Sequence, residues 1–226
     1  MYQERPSTLD GAVVWTRAAG PGDRQARVLP DGCMDLIWSD GLLVAGPDTG
    51  AHLTSDRPGR SYAGLRFAPG TGAAVLGVPA HLLRDQRVPL AALWPERKVR
   101  ELTERVAATA DPGAALEALA AGRLREAELP GPWRRTAVAA LRGGSSVAEV
   151  ARRTGLSERQ LHRRCLPVFG YGPKTLGRVL RLQRALRLAR SGTGAAEVAA
   201  ATGYADQAHL AREVRALAGV PLTALR

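Results

Sequence analysis

The sequence predicts an α+β protein: a small β-rich domain, barrel or meander, with trailing helices, then an all-α domain of two helix-turn-helix units joined by a long linker helix. Three observations predict it. The heptad Glu149-Val150-Ala151-Arg152-Arg153-Thr154-Gly155 recurs as Glu197-Val198-Ala199-Ala200-Ala201-Thr202-Gly203, 48 residues on, with five of seven positions identical. Charge is segregated: within a net of +11, residues 132–226 carry 17 Lys and Arg against 5 Asp and Glu, while residues 1–131 carry 15 against 16. The texture also changes near residue 72, from short apolar runs cut by turn formers to apolar residues at helical spacing.

Composition sets the bounds. With 226 residues, 45% of them hydrophobic, the chain can build one large or two ordinary domains, each with its own core. No apolar run approaches the roughly 18 residues of a membrane helix. The opening residues Met1 to Pro6 lack the basic-then-apolar order of a signal peptide. The expectation is a cytoplasmic protein with no membrane partner. Cys33 and Cys165 are too few for a disulfide framework or a four-cysteine zinc site, so reduced thiols and no metal or cofactor are expected. A basic domain beside a neutral one points to a polyanion-binding module joined to a unit with another task.

Along the first part, residues 11–19, 27–29, 34–38, 42–45 and 62–67 are short apolar or alternating runs. Gly20-Pro21-Gly22-Asp23, Pro30-Asp31-Gly32, Ser39-Asp40-Gly41, Gly46-Pro47-Asp48 and Pro69-Gly70 separate them as turns. Beyond Gly72, residues 73–76 and 79–83 suit short helical turns, and 96–110 and 111–119 suit helices, the last opened by an Asp111 cap with Pro112 at the first helical position. The Pro/Gly-bounded joint at 128–132 divides a first, near-neutral domain, residues 1–131, from a second, basic one, residues 132–226.

In that second domain, residues 133–141 form a helix closed by Gly143-Gly144. Each copy of the duplication then reads as a helix-turn-helix. Ala151 or Ala199 lets a second helix cross closely, and Gly155 or Gly203 ends the first helix with positive φ. Ser157 and Asp206 cap the second helices. The glycine-to-leucine spacing is six residues to Leu161 and seven to Leu210, so the second turn is longer by one. Pro173 opens the linker helix, residues 174–190, whose Leu176, Val179, Leu180, Leu182, Leu186 and Ala189 form an apolar side opposite Arg178, Arg181, Arg184 and Arg187. Pro167 is expected to shorten the helix before it.

The run Val147-Ala148-Glu149-Val150-Ala151, then Gly155 to Arg164, Gly172-Pro173 and the Arg/Leu helix, and finally Gly203 to Arg212 and Gly219-Val220-Pro221, resembles the DNA-binding domain of the AraC/XylS family of transcription regulators. The first part is similar to sensor domains attached to that family, through Arg27-Val28-Leu29-Pro30-Asp31-Gly32-Cys33-Met34-Asp35-Leu36-Ile37-Trp38. The resemblance implies two recognition helices entering successive major-groove faces of double-stranded DNA. Its base-reading positions fall on Arg159, His162 and Arg163, then Gln207, Ala208, His209 and Arg212. Arginine can chelate guanine O6/N7 and glutamine suits adenine, whereas Ala208 offers apolar contact to a thymine methyl. Backbone contacts would come from Ser157, Arg164, Lys174, Arg178 and Arg181. This sequence departs from the family in having Val214 and Cys165 at places where an aromatic is common.

A folded neutral domain suits a small-molecule effector or a partner surface, with Trp15, Cys33, Trp38, Tyr62, Arg66 and Trp94 as candidate lining. RNA polymerase and a second copy of the chain, as a homodimer, stay open as further partners. An alternative is a thiol-based sensor or alkyl-acceptor DNA-repair protein using Cys33. Asp31 and Asp35 would raise its thiol pKa, and the four-cysteine zinc cluster of the methyl-accepting repair proteins is absent. With no Ser/His/Asp elbow, phosphate-cradling loop or paired-carboxylate signature, no enzyme is expected.

Overall fold

The structure, a computed structural model, describes residues 2–20, 25–55 and 59–225. The expected turn at residues 20–23 falls mostly outside them, as does Arg226. The described residues contain eight strands: β1 Tyr2–Pro6, β2 Val13–Ala18, β3 Gln25–Val28, β4 Asp35–Trp38, β5 Leu42–Ala45, β6 His52–Ser55, β7 Ser61–Arg66 and β8 Arg87–Pro89. Six make one antiparallel sheet in the order β1-β2-β7-β4-β5-β8, and β3-β6 forms a separate ribbon. The pairs β4-β5, β3-β6 and β2-β7 are nested one around another, the jelly-roll pattern. Pro6 and Pro89 sit on the two edge strands, where a missing N–H costs no ladder bond.

Three strands were not among the expected runs. Tyr2–Pro6 is wholly exposed and carries no apolar alternation, His52–Ser55 is polar, and Arg87–Pro89 returns to the sheet after helical residues. The β-rich part therefore extends past residue 72, because β8 pairs with β5.

Helices α1 Gly72–Leu76, α2 Glu96–Ala107 and α3 Pro112–Glu126 pack on one face of the large sheet. Val14, Leu36, Val44 and Leu65 from the strands, with Phe67 just past β7, meet Val75, Leu76, Val99, Val106, Leu116 and Ala120 from the helices in a first core. Asp111 caps α3 through the Ala114 N–H, as the Asp-Pro pair predicts. Glu117 is buried in α3 and accepts from Arg5 (2.6 Å), Ser7 Oγ (2.7 Å) and the Thr8 N–H (2.8 Å), which ties the chain start to the helix. Burial opposes its ionisation, but these donors outweigh it and hold the carboxyl down at about 2.

The remaining helices are α4 Trp133–Arg142, α5 Val147–Thr154, α6 Glu158–Phe169, α7 Pro173–Arg190, α8 Ala195–Thr202 and α9 Gln207–Ala218. They form two cores that share α7. Leu176, Val179 and Leu180 pack with α4, α5 and α6, while Leu182, Ala185, Leu186 and Ala189 pack with α8 and α9. The apolar side of α7 thus serves both units, one per half, over a helix of roughly 27 Å.

One expectation is corrected here: Pro167 does not shorten α6, which runs on to Phe169. Proline near the C-terminal end loses one backbone bond, while burial of Cys165 and Phe169 on the same face favours continuing.

Candidate nucleic-acid interface and sensor face

In the first unit, local chemistry fixes both helix starts. Ser146 and Glu149 form a capping box at α5, and Ser157 and Gln160 form another at α6, with Ser157 N–H to Gln160 Oε1 at 2.9 Å and Gln160 N–H to Ser157 Oγ at 3.2 Å. Gly155 adopts φ 67 and Gly203 φ 77, as the duplicated helix ends require. In α6, Leu161, Cys165 and Phe169 are buried and Arg159, His162, Arg163 and Arg164 are exposed. Arg159, His162 and Arg163 stand at i, i+3 and i+4, a single stripe.

In the second unit, Asp206 caps α9 by accepting the His209 N–H at 2.6 Å. Gln207, Ala208 and Arg212 are exposed and His209 is half-buried. Ala208 and Arg212 share a stripe that continues to the exposed Arg215. Nothing in the family positions pointed to Arg215, but the i+3 spacing from Arg212 does. Arg152 and Arg153, exposed at the end of α5, also lay outside the expected set.

The expected backbone-contact residues divide into two groups. Lys174 and Arg164 are exposed, the latter beside a surface groove of about 310 Å³ lined by Leu129, Trp133, Pro167 and Val168. Ser157 is exposed with its hydroxyl engaged as a cap. Arg178 and Arg181 are half-buried and engaged inside the protein. Arg178 meets Glu213 of α9 with two bonds, at 2.8 and 3.1 Å, and Arg181 lies over the Tyr204 ring at 5.4 Å. The bond to Arg178 holds the Glu213 carboxyl below its ordinary value. These linker-helix arginines fasten the second unit to α7.

The residues expected to line an effector site also divide. Val14, Leu36 and Leu65 belong to the first core, so alternation places Trp15, Asp35 and Arg66 on the opposite sheet face, together with Tyr62. Trp38 and Trp94 are not brought to that face. Trp38 packs against the first core, and Trp94 is buried there with its Nε1 donating to Leu76 O at 2.8 Å.

On the opposite face, Arg66 is held by Glu4 (3.0 Å), Asp31 (3.2 Å) and Asp35 (3.6 Å), and Trp15 Nε1 donates to Asp35 at 2.7 Å. Burial, against the pull of Arg66, raises Asp31 and pushes Asp35 up to about 6. Burial and then the neighbouring Asp31 and Asp35 push the Cys33 thiol well up, away from a reactive thiolate. Cys165, pushed up to about 12 by burial, is a core side chain. Among the described residues no group of three metal-ligating side chains comes together, and no helix is long and apolar enough to cross a membrane.

Residues 27–33 lie as a strap along the helical domain. Arg27 Nη1 donates to Ala218 O at the end of α9 (2.9 Å), Leu29 packs into the second unit's core, and Gln183 of α7 donates to Pro30 O (2.8 Å). A Cβ at Gly32 would stand 3.3 Å from Leu176 and 3.8 Å from the Tyr171 hydroxyl, so only glycine fits comfortably there. The strap thereby touches both helix-turn-helix units and carries Asp31, a partner of Arg66. Sequence reasoning missed this role, although the whole strap lies inside the Arg27-to-Trp38 run. Elsewhere Arg134 of α4 donates to Pro69 O (2.8 Å), and a Cβ at Gly170 would stand 2.4 Å from Pro47, so the end of α6 also abuts the sheet domain.

Residues 136–226 match a family model described as a helix-turn-helix domain, and residues 12–89 match one described as a domain of unknown function (DUF6597). No curated protein sequence matches the chain. Among solved structures, an apo variant of ToxT from Vibrio cholerae strain SCE256 aligns over 98% of this chain and 100% of its own, with 10% identity and a TM-score of 0.51. Wild-type ToxT from the same strain, solved with unsaturated fatty acid bound, aligns over 100% of this chain and 97% of its own, with 11% identity and a TM-score of 0.50. At that identity the likeness is one of fold, and it extends over both the sheet domain and the helical domain.

Proposed function

We propose that the chain, whose residues 136–226 match a helix-turn-helix family model, is a DNA-binding transcription regulator of the AraC/XylS family that reads a bipartite operator with α6 and α9 in successive major grooves of one DNA face. The observation that carries this reading is the sharing of α7: one helix supplies the apolar wall of both units and fixes their separation. Arg159, His162 and Arg163 then read one half-site, and Gln207, Ala208, His209 and Arg212 the other. Lys174, Arg164 and the Ser157-capped start of α6 meet phosphates. Arg152, Arg153 and Arg215 extend the basic surface, while Arg178 and Arg181 act inside the protein.

Residues 1–131 act as a sensor domain whose effector meets the sheet face of Trp15, Tyr62 and Arg66. The fatty-acid-bound structural neighbour supports a small-molecule effector for this architecture. Arg66 already faces three carboxylates, so the face offers an aromatic wall more readily than an anion receptor. The strap supplies the route to DNA: a change at Asp31 displaces a segment bonded to α7 and to the end of α9. The raised Cys33 pKa argues against the thiol-sensor and alkyl-acceptor alternative. Bound at that operator, the chain acts on transcription, with RNA polymerase as a candidate partner.

Gel-shift titration of a selected operator tests the reading. Arg159→Ala and Arg212→Ala are each expected to weaken binding by roughly 1–3 kcal/mol and to relax specificity in one half-site only. Unchanged affinity in both variants would remove the recognition-helix assignment.

A further inference from the structure

We propose that His209 reads DNA as an obligate hydrogen-bond donor, so that the base it meets presents an acceptor (guanine O6 or N7, adenine N7, thymine O4) and cytosine is rejected there. The inference rests on the reading of α9 as a recognition helix. The chain itself sets the tautomer. The Ala205 backbone N–H donates to His209 Nδ1 at 3.2 Å. An N–H has only a proton to give, so Nδ1 must be the acceptor and the neutral ring carries its proton on Nε2. If the ring takes up a second proton it does so on Nδ1, and Nε2–H remains a donor. In neither charge state can Nε2 accept.

The ring is also held in place. It stands edge-on to Tyr204, with centroids 5.3 Å apart and planes at 89°. Tyr204 is buried and has the Arg181 guanidinium over its ring. The backbone of His209 is fixed by the Asp206 cap. Among the described residues Nε2 itself has no protein acceptor, which leaves it for an outside one. His162, the histidine of the first stripe, differs on each count. Neither of its nitrogens is bonded among the described residues, and its ring lies over Gly172, where a Cβ would meet it at 2.6 Å. It can turn either a donor or an acceptor outward.

In the major groove, cytosine presents only its N4 amino donor, which would oppose Nε2–H, while the other three bases each present an acceptor. His209 therefore acts as a filter against one base rather than as a reader of one. It narrows the half-site in which Ala208 contributes no hydrogen bond.

The test has two arms on the full-length protein. Nitrogen-15 imidazole spectra of the free protein are expected to place the His209 proton on Nε2 at neutral pH, and a proton on Nδ1 there would overturn the proposal. For the second arm, an operator is selected from a random duplex pool and every base of its second half-site is varied. At one position cytosine is expected to weaken binding roughly fivefold to tenfold, with the other bases tolerated. His209→Ala should erase that discrimination, and His209→Gln, whose amide both donates and accepts, should admit cytosine. A position that prefers cytosine and loses the preference in His209→Ala would overturn the proposal. Unchanged selectivity in His209→Ala alongside weakened binding in Arg212→Ala would remove His209 while leaving α9 as a reader. Insensitivity of both variants would remove the reading of α9 itself.

Discussion

The two helix-turn-helix units share a sequence heptad and a helix, and each has its own apolar core, but their further ties differ. The first is built on apolar contact: Leu161, Cys165 and Phe169 fill its core, and the end of α6 presses on Pro47 through Gly170. The second adds polar ties to its core of Leu210, Val214 and Leu217: Arg178 to Glu213, Arg181 over Tyr204, and Arg27 to the last carbonyl of α9. Close-packed apolar surfaces resist sliding because a shift opens voids, whereas ion pairs and carbonyl contacts can exchange partners one at a time. If both units read DNA as proposed, the second, bonded through Arg27 to the strap, is the one whose polar ties a change in the sensor domain would reach first.

That contrast can be broken experimentally. The largest effect is expected at Arg159, where alanine should cost roughly 2–3 kcal/mol of operator affinity, against about 1 kcal/mol at Arg212, since the first stripe offers two arginines and the second pairs its arginine with Ala208. Equal losses would mean that the units read DNA alike. Next, Glu213→Gln should leave Arg178 without its charged partner, lower stability by about 1 kcal/mol and raise hydrogen exchange selectively in α8 and α9. Uniform exchange across all the helices would show that α9 is not held by this pair. Gln183→Ala should change operator affinity by only a few tenths of a kcal/mol but weaken the response to effector, because it frees the strap from α7.

The pH response is smaller and of definite sign. Asp35 has a folded pKa of about 6, raised above the ordinary carboxylate value of 3.8. The folded state therefore binds the extra proton, so the favourable contribution is complete below the unfolded value and is lost as pH rises through about 6. Trp15, whose Nε1 donates to Asp35, should report the step in its fluorescence, and Asp35→Asn should abolish it. A flat Trp15 signal between pH 4 and 7 would contradict the burial of that carboxylate.

How much of this was legible follows from where the information lies. Helix ends are local: Ser157, Gly155, Asp206, Gly203 and the Asp111-Pro112 pair could each be read from a few neighbours, and the structure has each in that role. Strands that owe their existence to a partner could not. Tyr2–Pro6 and Arg87–Pro89 are edge strands with no apolar period of their own, formed because β2 and β5 offer open ladders. Pro167 was misjudged for the same reason, since its helix is continued by distant packing on Phe169.

In the candidate sites, the exposed stripes of α6 and α9 followed from periodicity and from the family resemblance. The internal use of Arg178 and Arg181 did not, because Glu213 and Tyr204 approach only through tertiary packing. Alternation along the strands could have separated Trp38 from Trp15, since Trp38 shares a face with Leu36. Burial of Trp94 depends on the helices that cover it. The strap was visible as a motif, but its contacts with Ala218 and Gln183 span more than 150 residues and leave no local trace.

The central claim, one rigid linker helix carrying two unequal readers, is tested most directly by hydroxyl-radical footprinting of the full-length protein on a selected operator. Two protected patches on one DNA face, about one helical turn apart, are predicted, with Arg212→Ala fading the second patch while the first persists. A single patch in the wild-type protein, or simultaneous loss of both patches in Arg212→Ala, would contradict it.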